Sequence, residues 1–378
     1  MAIAFMGDQL AAAPSGARLR FDLVPAARVT PLVPEWTVLA GRSAGDNVFF
    51  HPDFALPAMS ILGEGVQVAV VSSPDRQLAA LAPVTVTRLG RLAPAARVWS
   101  HPYAPFGLPL VDRTRVIDGV AALLGGLAPD RSLIVPDLPL DGGVAAAFVA
   151  VAGREDRPLA ILDRHVRAVL DREGGTDRRA ALAGRRRKEF GRLMRRLGEH
   201  GRISFESRIH ADDVRSRFEV FMALEAAGWK GKRGTALLSS DRTAEFARDA
   251  VRALADAGST RIDSIDLDGA PVAMVVTFAA GATAWTWKIA YDEAWSRYSP
   301  GAQLMLDVPP EIFSDPTLGR IDSLATADHP MIDHLWDGRL EIGTMVLGPP
   351  GGSLAHTAGL AAARAELAAR DAVRRLRH

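Results

Sequence analysis

The 378-residue sequence contains no cysteine, which excludes a disulfide framework, a cysteine-ligated zinc site, an iron–sulfur cluster and a thiolate nucleophile. No stretch approaches the roughly 18–20 consecutive apolar residues that a membrane-spanning helix needs. The first ten residues carry no positively charged leader ahead of their apolar stretch. We therefore expect a cytoplasmic protein.

Several common catalytic and nucleotide-binding signatures are also missing. The sequence has no Gly-x-Ser-x-Gly nucleophile elbow, no Gly-x-x-x-x-Gly-Lys-Ser/Thr phosphate loop and no strand-linked Gly-x-Gly-x-x-Gly. His329 and His334 are five residues apart, which is not the spacing of a helical zinc pair, so we expect no metal site. These absences count against hydrolase, P-loop, dinucleotide-binding and zinc-dependent classes.

The composition is typical of a packed globular protein, with positive charge concentrated in one segment. Hydrophobic residues make up 48% and charged residues 24%, and the net charge is +1, so bulk charge does not make the molecule a polyanion binder. Residues 178–196, however, contain nine arginines or lysines and a single acid, Glu189. This basic segment could contact the 3′-phosphate of coenzyme A, anionic lipid or tRNA, or it could be a solvated surface helix.

Hydrophobic periodicity predicts a mixed α/β organisation in two units. A helix, strand, turn and strand follow one another at residues 51–87 and again at 241–278, which suggests a duplication. The Asp268-Gly269 pair between two β-rich stretches predicts a hairpin. The predicted boundaries are an N-terminal domain at 1–170 that begins with a poorly ordered lead-in, a basic helical linker at 171–200, a C-terminal domain at 201–350 and a terminal helix at 351–378.

The most informative stretch, residues 284–306, reads as a strand, a polar loop and a helix that begins near Pro300 or Gly301. Proline is favoured in a first helical turn, and glycine lets a phosphate approach the free backbone N–H groups there. Arg297 would add a permanent positive charge beside them. The pattern therefore predicts a diphosphate site, with an ordinary strand-to-helix connection as the alternative.

This loop resembles the pyrophosphate loop of the GNAT acetyltransferases, here written RYSPGAQ with one extra residue before Gly301. A wider set of motifs resembles the CelD/BcsL-type acetyltransferases over about residues 175–345. The motifs are Leu224-Glu225 to Trp229-Lys230-Gly231, Gly234-Thr-Ala, Asp268-Gly-Ala-Pro-Val-Ala, Trp287-Lys288-Ile-Ala-Tyr291-Asp292, Arg297-Tyr-Ser-Pro-Gly301 and His329 to Trp336.

The resemblance implies an α/β fold with a mixed sheet and two GNAT-like domains in tandem, related to FemAB-like transferases. It further implies N-acyl transfer, with acetyl-CoA as the default donor, to an amine of an amino sugar, an amino acid or a cell-envelope precursor. O-acylation of a polysaccharide is a further possibility. The alternatives are an aminoacyl-tRNA-dependent transferase and a non-catalytic GNAT-fold protein that binds an anionic polymer or partner.

The resemblance also assigns site residues. Acyl-CoA would bind Trp287, Lys288, Ile289, Arg297, Ser299, Gly301, Ala302 and Gln303, with backbone N–H groups of residues 286–289 facing the thioester oxygen. The candidate bases are Glu225 and Asp292, the candidate acids are Tyr291 and Tyr298, and the acceptor would contact Tyr103, Trp229, Lys230, His329 and Trp336. Each has a structural alternative: a paired carboxylate for Glu225, solvated lysines for Lys230 and Lys288, and core packing for the tryptophans.

Overall fold

The computed structural model describes residues 18–376, which form thirteen strands and eleven α-helices. The strands are β1 (Arg20–Pro25), β2 (Gln67–Ser72), β3 (Leu78–Leu89), β4 (Ala93–Val98), β5 (Leu110–Val111), β6 (Ser132–Pro139), β7 (Leu159–Asp171), β8 (Ile203–Arg208), β9 (Thr260–Leu267), β10 (Ala270–Ala280), β11 (Thr283–Tyr291), β12 (Arg320–Asp322) and β13 (Gly338–Leu347). The helices are α1 (Val33–Gly41), α2 (Pro52–Leu62), α3 (Val116–Leu127), α4 (Gly143–Arg154), α5 (Arg178–Ala181), α6 (Gly184–Gly198), α7 (Ala211–Ala227), α8 (Trp229–Lys232), α9 (Asp241–Asp256), α10 (Pro300–Ile312) and α11 (Leu354–Leu376). Residues 1–17 of the predicted lead-in lie outside the described part of the chain.

All the strands belong to one mixed sheet, in the order β1-β2-β3-β4-β6-β13-β7-β12-β11-β10-β9-β8, with β5 attached to β3. The same sequence of elements occurs twice. A strand, helices, a three-stranded antiparallel meander, a helix and a parallel strand run from β1 to β6 and again from β8 to β12. The structure thus confirms the predicted mixed α/β fold and its two similar units in tandem.

The last strands of the two units are exchanged at the centre of the sheet. β13, which ends the second unit, pairs antiparallel with β6 of the first unit on one side and with β7 on the other. β7, which ends the first unit, pairs with β12 of the second. Each unit therefore completes the sheet of the other. The domain boundaries predicted at 170 and 200 do not include this exchange of strands.

Two large cores lie on opposite faces of the second half of the sheet. One core is shared by both units, because Phe54 of α2 packs edge-on against Phe246 of α9, with 5.5 Å between ring centroids. The other lies beneath α10 and contains Met305 and Trp336, whose indole N–H donates to the Met305 carbonyl at 3.1 Å. The helices that flank β11 thus belong to separate apolar layers.

A buried ion pair joins the units where β7 meets β12. Arg167 Nη2 donates to Asp322 Oδ2 at 2.6 Å, and the two side chains are 3% and 1% exposed. Asp322 Oδ1 also accepts the N–H of Leu324, and the Arg167 guanidinium lies 5.4 Å from the ring centroid of Phe106. This pair fixes the junction from which β11 and β12 diverge.

The basic segment predicted as one helix is divided in the structure. α5 ends at Ala181, the backbone of Leu182 is extended, and α6 begins at Gly184. Arg178 is buried and pairs with Asp337 at 3.1 Å, and Arg179 pairs with Asp307, so these two guanidinium groups have partners within the fold. The basic side chains of α6 stay exposed, while its apolar side chains pack towards the core beneath α10.

Candidate active site

β11 carries a β-bulge at Trp287. On the neighbouring β10, Val276 pairs with Lys288 and Thr277 pairs with Thr286, so Trp287 is an extra residue that pairs with nothing on β10. Bulges re-aim side chains and occur often beside active sites. The bulge falls within residues 286–289, where the resemblance to GNAT acetyltransferases implies the N–H groups that would face a thioester oxygen.

The bulge puts two consecutive side chains on one face of β11, which we call the α7 face. Trp287 packs in the core shared by the two units, and Lys288 reaches Glu225 of α7. Ile289 and Tyr291 instead contribute to the core beneath α10, and we call this side the α10 face. A ligand at the bulge would therefore be approached from two chemically different sides.

β11 and β12 diverge soon after they meet. Their parallel pairing covers Thr283 to Trp285 on β11 and ends at the Trp285–Asp322 pair. Beyond it, β11 continues to Tyr291 without pairing to β12. We call the stretch of β11 that β12 leaves unpaired, residues 286–291, the β11–β12 notch; it extends from the bulge to the turn before α10. At its start the Thr286 hydroxyl donates to the Ser323 carbonyl at 3.2 Å.

The turn after β11 ends at an uncapped helix N-terminus, as the sequence predicts. Asp292 Oδ1 accepts the N–H of Ala294 and begins a 3-10 turn, and Ser299 takes a left-handed conformation with φ +53°. Pro300 follows in the first turn of α10, where no side chain caps the helix. Such an end offers free N–H groups and a positive dipole to an anion.

Arg297 and Gly301 have the surroundings that a diphosphate site needs. Arg297 is exposed, lies 4.7 Å from the ring centroid of Tyr298 and, within the described residues, contacts no carboxylate. A Cβ added at Gly301 would meet side-chain atoms of Ile289 and Tyr291 at 3.6 Å, an ordinary contact distance. The first turn of α10 is nevertheless buried, so a diphosphate would reach it through the notch rather than across an open surface.

The neighbours of Arg297 and Gly301 hold this loop against α6. The Tyr298 hydroxyl lies 2.7 Å from His200 Nε2, and Gln303 is fully buried with its side-chain N–H donating to the Phe190 carbonyl. The structure places Ser299 and Ala302 on either side of Gly301. A contact of these residues, or of Gln303, with the donor stays a prediction.

At the bulge end of the notch, one carboxylate is shared by two ammonium groups. Glu225 is wholly buried; its Oε1 lies 3.0 Å from Lys230 Nζ and 3.4 Å from Lys288 Nζ. Its Oε2 accepts the N–H of Leu237 at 2.8 Å. Tyr103, from the first unit, places its ring centroid 5.0 Å from Lys288 Nζ. We call Glu225, Lys230, Lys288 and Tyr103 the Glu225 cluster.

Burial shifts the pKa of two members of this cluster, Lys288 and Tyr103. Desolvation lowers the pKa of Lys288, although the neighbouring Glu225 charge acts in the opposite direction. Desolvation also raises the pKa of Tyr103, whose phenol is protonated at neutral pH even without this shift and can donate a hydrogen bond. The cluster thus combines cations and a protonated donor on the α7 face, beside the bulge.

The remaining predicted site residues are distributed unevenly. Trp229 is 42% exposed on α8, with Arg233 stacked on its ring. Trp336 lies in the core beneath α10, and His329 Nδ1 accepts the N–H groups of Met331 and Ile332. In the described structure neither Trp336 nor His329 contacts the Glu225 cluster, and their roles in acceptor binding stay predictions.

Two histidines near the site were not among the predicted residues. His200 hydrogen-bonds Tyr298, which is 98 residues away in the sequence, so no local pattern predicts the contact. His101 lies in an aromatic cluster with its ring centroid 4.5 Å from that of Trp99, and its Nδ1 is buried without a hydrogen-bond partner in the described part of the chain. Its proximity to Tyr103 in the sequence was the only available signal.

Burial of His101 predicts a loss of stability in acid. Desolvation lowers its pKa from 6.5 to about 4, so the folded state resists a proton that the unfolded chain accepts. The stabilisation is complete above pH 6.5 and declines as the pH falls towards 4, by about 3 kcal/mol in total. Urea unfolding at pH 7 and pH 4.5 would measure it. His101→Phe keeps an aromatic ring and should remove this share of the pH dependence; an unchanged pH dependence would contradict the assignment.

Comparisons with known proteins identify one domain of the chain. Residues 184–326 match the family model described as acetyltransferase (GNAT) domain. No curated protein matches the chain. Within residues 18–376, no helix combines the length and apolar character of a membrane span, and no group of His, Cys, Asp and Glu has the arrangement of a metal site.

Solved structures share the fold at low sequence identity. FemX has a TM-score of 0.54 at 10% identity, with 84% of this chain and 96% of FemX covered. L-PGS from Bacillus licheniformis has a TM-score of 0.51 at 11% identity, with 89% and 96% covered. A conserved protein of unknown function from Bacteroides thetaiotaomicron has a TM-score of 0.52 at 12% identity, with 87% and 99% covered. Residues 184–326 of this chain therefore match a GNAT acetyltransferase domain, and the chain has the overall fold of FemX and L-PGS.

Proposed function

We propose that this protein is an N-acyltransferase of the CelD/BcsL type that moves an acyl group, by default acetyl, from acyl-CoA to an amine. The acceptor would be an amino sugar, an amino acid or a cell-envelope precursor. One observation carries the proposal: the bulge at Trp287 opens into a notch that leads to the uncapped N-terminus of α10. A thioester and a diphosphate need these two features at the two ends of one cleft.

Acyl-CoA fits the notch as a substrate held at both ends. Its diphosphate would meet the α10 N-terminus and Arg297, and its thioester would lie beside residues 286–289. The acceptor nitrogen attacks the thioester carbon, a C–N bond forms, and the C–S bond breaks with its electron pair passing to sulfur. The amine loses one proton to a base and the thiolate gains one, so the products are an amide and free CoA.

The distribution of titratable groups separates the two ends. Tyr291 and Tyr298 lie beside Gly301 and the loop, at the phosphate end, and we propose that they support donor binding there. Glu225 is the carboxylate that contacts β11 at the thioester end, and it remains our candidate base. Because its oxygens already accept three hydrogen bonds, the proton would pass through water.

Calorimetric titration with acetyl-CoA tests this assignment. Arg297→Ala should weaken binding roughly tenfold or more, because it removes charge-assisted hydrogen bonds to phosphate. Gly301→Ala should weaken binding without lowering the melting temperature, since a Cβ fits the protein there and alanine favours a helix. Arg88→Ala, at an exposed arginine of the first unit whose guanidinium donates to the Leu92 carbonyl, is the matched control. Unchanged affinity in both site variants would remove the diphosphate assignment.

The exposed basic face of α6 favours a second candidate, an aminoacyl-tRNA-dependent transferase. α6 lies against α10 through the contact of Phe190 with Gln303, and His200, just after α6, contacts Tyr298 of the turn before α10. Filter binding with bulk tRNA at two salt concentrations separates the candidates, because phosphate contacts weaken steeply with salt. Salt-sensitive tRNA binding without acetyl-CoA binding would favour the second. If the protein bound neither acetyl-CoA nor tRNA, the result would favour a non-catalytic protein.

A further inference from the structure

The Glu225 cluster holds more positive than negative charge. It contains two ammonium groups and one carboxylate, and in the described part of the chain no second carboxylate lies within ion-pair distance of either lysine. Glu225 is wholly buried, and the side chains of Lys230 and Lys288 are 21% and 14% exposed. An uncompensated charge in such a site is unfavourable, so the cluster is incomplete without an anion.

The excess charge is located on Lys288 rather than on Lys230. Lys230 Nζ donates to Glu225 Oε1 at 3.0 Å and to the Ile289 carbonyl at 2.8 Å. Lys288 Nζ has the longer contact of 3.4 Å with the same Glu225 oxygen and otherwise faces the rings of Tyr103 and Trp287. An ammonium group has three donors, so two donors of Lys288 have no acceptor within the described residues. The lowered pKa of Lys288 agrees with this incomplete solvation.

Lys288 also lies on the side from which the acceptor must come. The donor would occupy the notch with its diphosphate at α10, and α10 packs on the α10 face of β11 through Ile289 and Tyr291. Lys288 projects from the bulge to the α7 face, where Tyr103 of the first unit closes over it. An acceptor between the two units would therefore meet Lys288 next to the reacting carbonyl.

We propose that the acceptor carries a carboxylate close to its reactive amine and that Lys288 binds this carboxylate. The assignment rests on the proposed function, since it deepens the acceptor side of the same site. One uncompensated positive charge matches a monoanion, whereas a phosphate dianion would reverse the imbalance. The acceptor class is thus an α-amino acid or an amino sugar acid rather than a simple amine or a neutral amino sugar.

Paired acceptors test the proposal in a thiol-release assay with acetyl-CoA. Because the chain has no cysteine, a thiol reagent reports released CoA alone. The pairs are phenylalanine with phenethylamine, lysine with cadaverine, and muramic acid with glucosamine. The carboxylate member of at least one pair should have a kcat/KM roughly tenfold or more above its neutral partner. Equal use of both members, or preference for the neutral one, would overturn the proposal.

Lysine variants connect this preference to one side chain. The Lys288 side chain faces Glu225 and Tyr103, so we assign it to the acceptor and no longer to acyl-CoA. Lys288→Met should therefore raise KM for the carboxylate acceptor roughly tenfold or more while leaving KM for acetyl-CoA unchanged, and Lys288→Arg should retain the preference. Glu225 keeps Lys230 as its partner in both variants, so folding is expected to survive. Lys232→Met, at a lysine that is 67% exposed and paired with Glu293, is the control. A preference that survives in Lys288→Met would overturn the assignment.

A binding measurement covers the case in which no acceptor turns over. The chain has four lysines, so protein labelled with ¹³C at the lysine ε-carbon gives a simple spectrum, and Lys288→Met identifies its signal. The carboxylate members should shift that signal saturably, and the neutral amines should not. An unmoved signal, or equal shifts from both members, would overturn the carboxylate site. Failure to bind acetyl-CoA in calorimetry would instead overturn the proposed function, which keeps the two failures distinguishable.

Discussion

Replacing Asp322 by alanine is expected to lower the free energy of unfolding by about 3–5 kcal/mol, because it leaves a buried guanidinium without its counter-ion. Arg167 is 3% exposed and pairs with Asp322 at 2.6 Å. After the substitution, its hydrogen-bond acceptor within the described residues is the Pro105 carbonyl, at 3.2 Å. The substitution also removes the acceptor of the Leu324 N–H. Urea unfolding followed by tryptophan fluorescence would measure the loss.

Two controls isolate the buried charge. The double variant Arg167→Met/Asp322→Leu should recover most of the stability, since apolar groups of similar size avoid the desolvation of an isolated ion. Asp22→Ala breaks the exposed pair with Arg20, whose side chains are 39% and 76% exposed, and should change stability by less than about 1 kcal/mol. If Asp322→Ala changed stability no more than Asp22→Ala, the junction would be no stronger than a surface ion pair.

Cutting the chain between residues 171 and 172 is expected to leave neither fragment with a cooperative unfolding transition. The first fragment lacks β12 and β13. Without them β7 has no partner strand, and β6 loses its pairing with β13. The second fragment loses β6 and β7, and β13 then has no partner strand. Circular dichroism and thermal unfolding of each purified fragment would measure this.

Mixing or co-expressing the two fragments provides the matching control. Their combination contains every strand pair of the intact sheet, so it should restore a single cooperative transition and acetyl-CoA binding. If either fragment alone unfolded cooperatively with the secondary structure of the intact chain, the exchanged strands would not be required for folding. The predicted boundaries at 170 and 200 would then mark independent domains.

Local elements could be read from the sequence because local chemistry determines them. Asp268-Gly269 forms the predicted hairpin turn with φ values of +49° and +81°, which glycine and aspartate tolerate better than most residues. The α10 start at Pro300 was located for a similar reason, since proline fixes the backbone geometry of a first helical turn. In both places a few adjacent residues are enough to predict the local structure.

The exchanged strands could not be read in this way. β7 contains Asp163, Arg164 and His165 in succession, which hides its alternation, and β13 contains Gly343 beside a register shift. Their pairing joins residues that are far apart in the sequence, and no local preference determines it. The break between α5 and α6 was also missed, because a dense series of arginines hides the extended backbone at Leu182.

In the candidate site, too, the sequence predicts the contiguous residues but not the contacts between distant ones. The residues around Gly301 came from a contiguous motif, so their placement together was expected. The Glu225 cluster instead joins residues of α7, α8, β11 and a loop of the first unit. The sequence analysis identified Glu225, Lys230, Lys288 and Tyr103 as candidates, but it did not predict that they contact one another. Trp336, for which the sequence analysis gave core packing as the alternative, lies in the core beneath α10, and its role in acceptor binding stays a prediction.

The exchange of β7 and β13 has a consequence for motion. A hinge that swung the two units apart would have to break backbone hydrogen bonds along the middle of the sheet, where β13 is held from both sides. Opening and closing on the scale of whole domains is therefore unavailable to this protein. Under the proposed function, substrates would enter and products would leave through local shifts of side chains and loops over a rigid central scaffold.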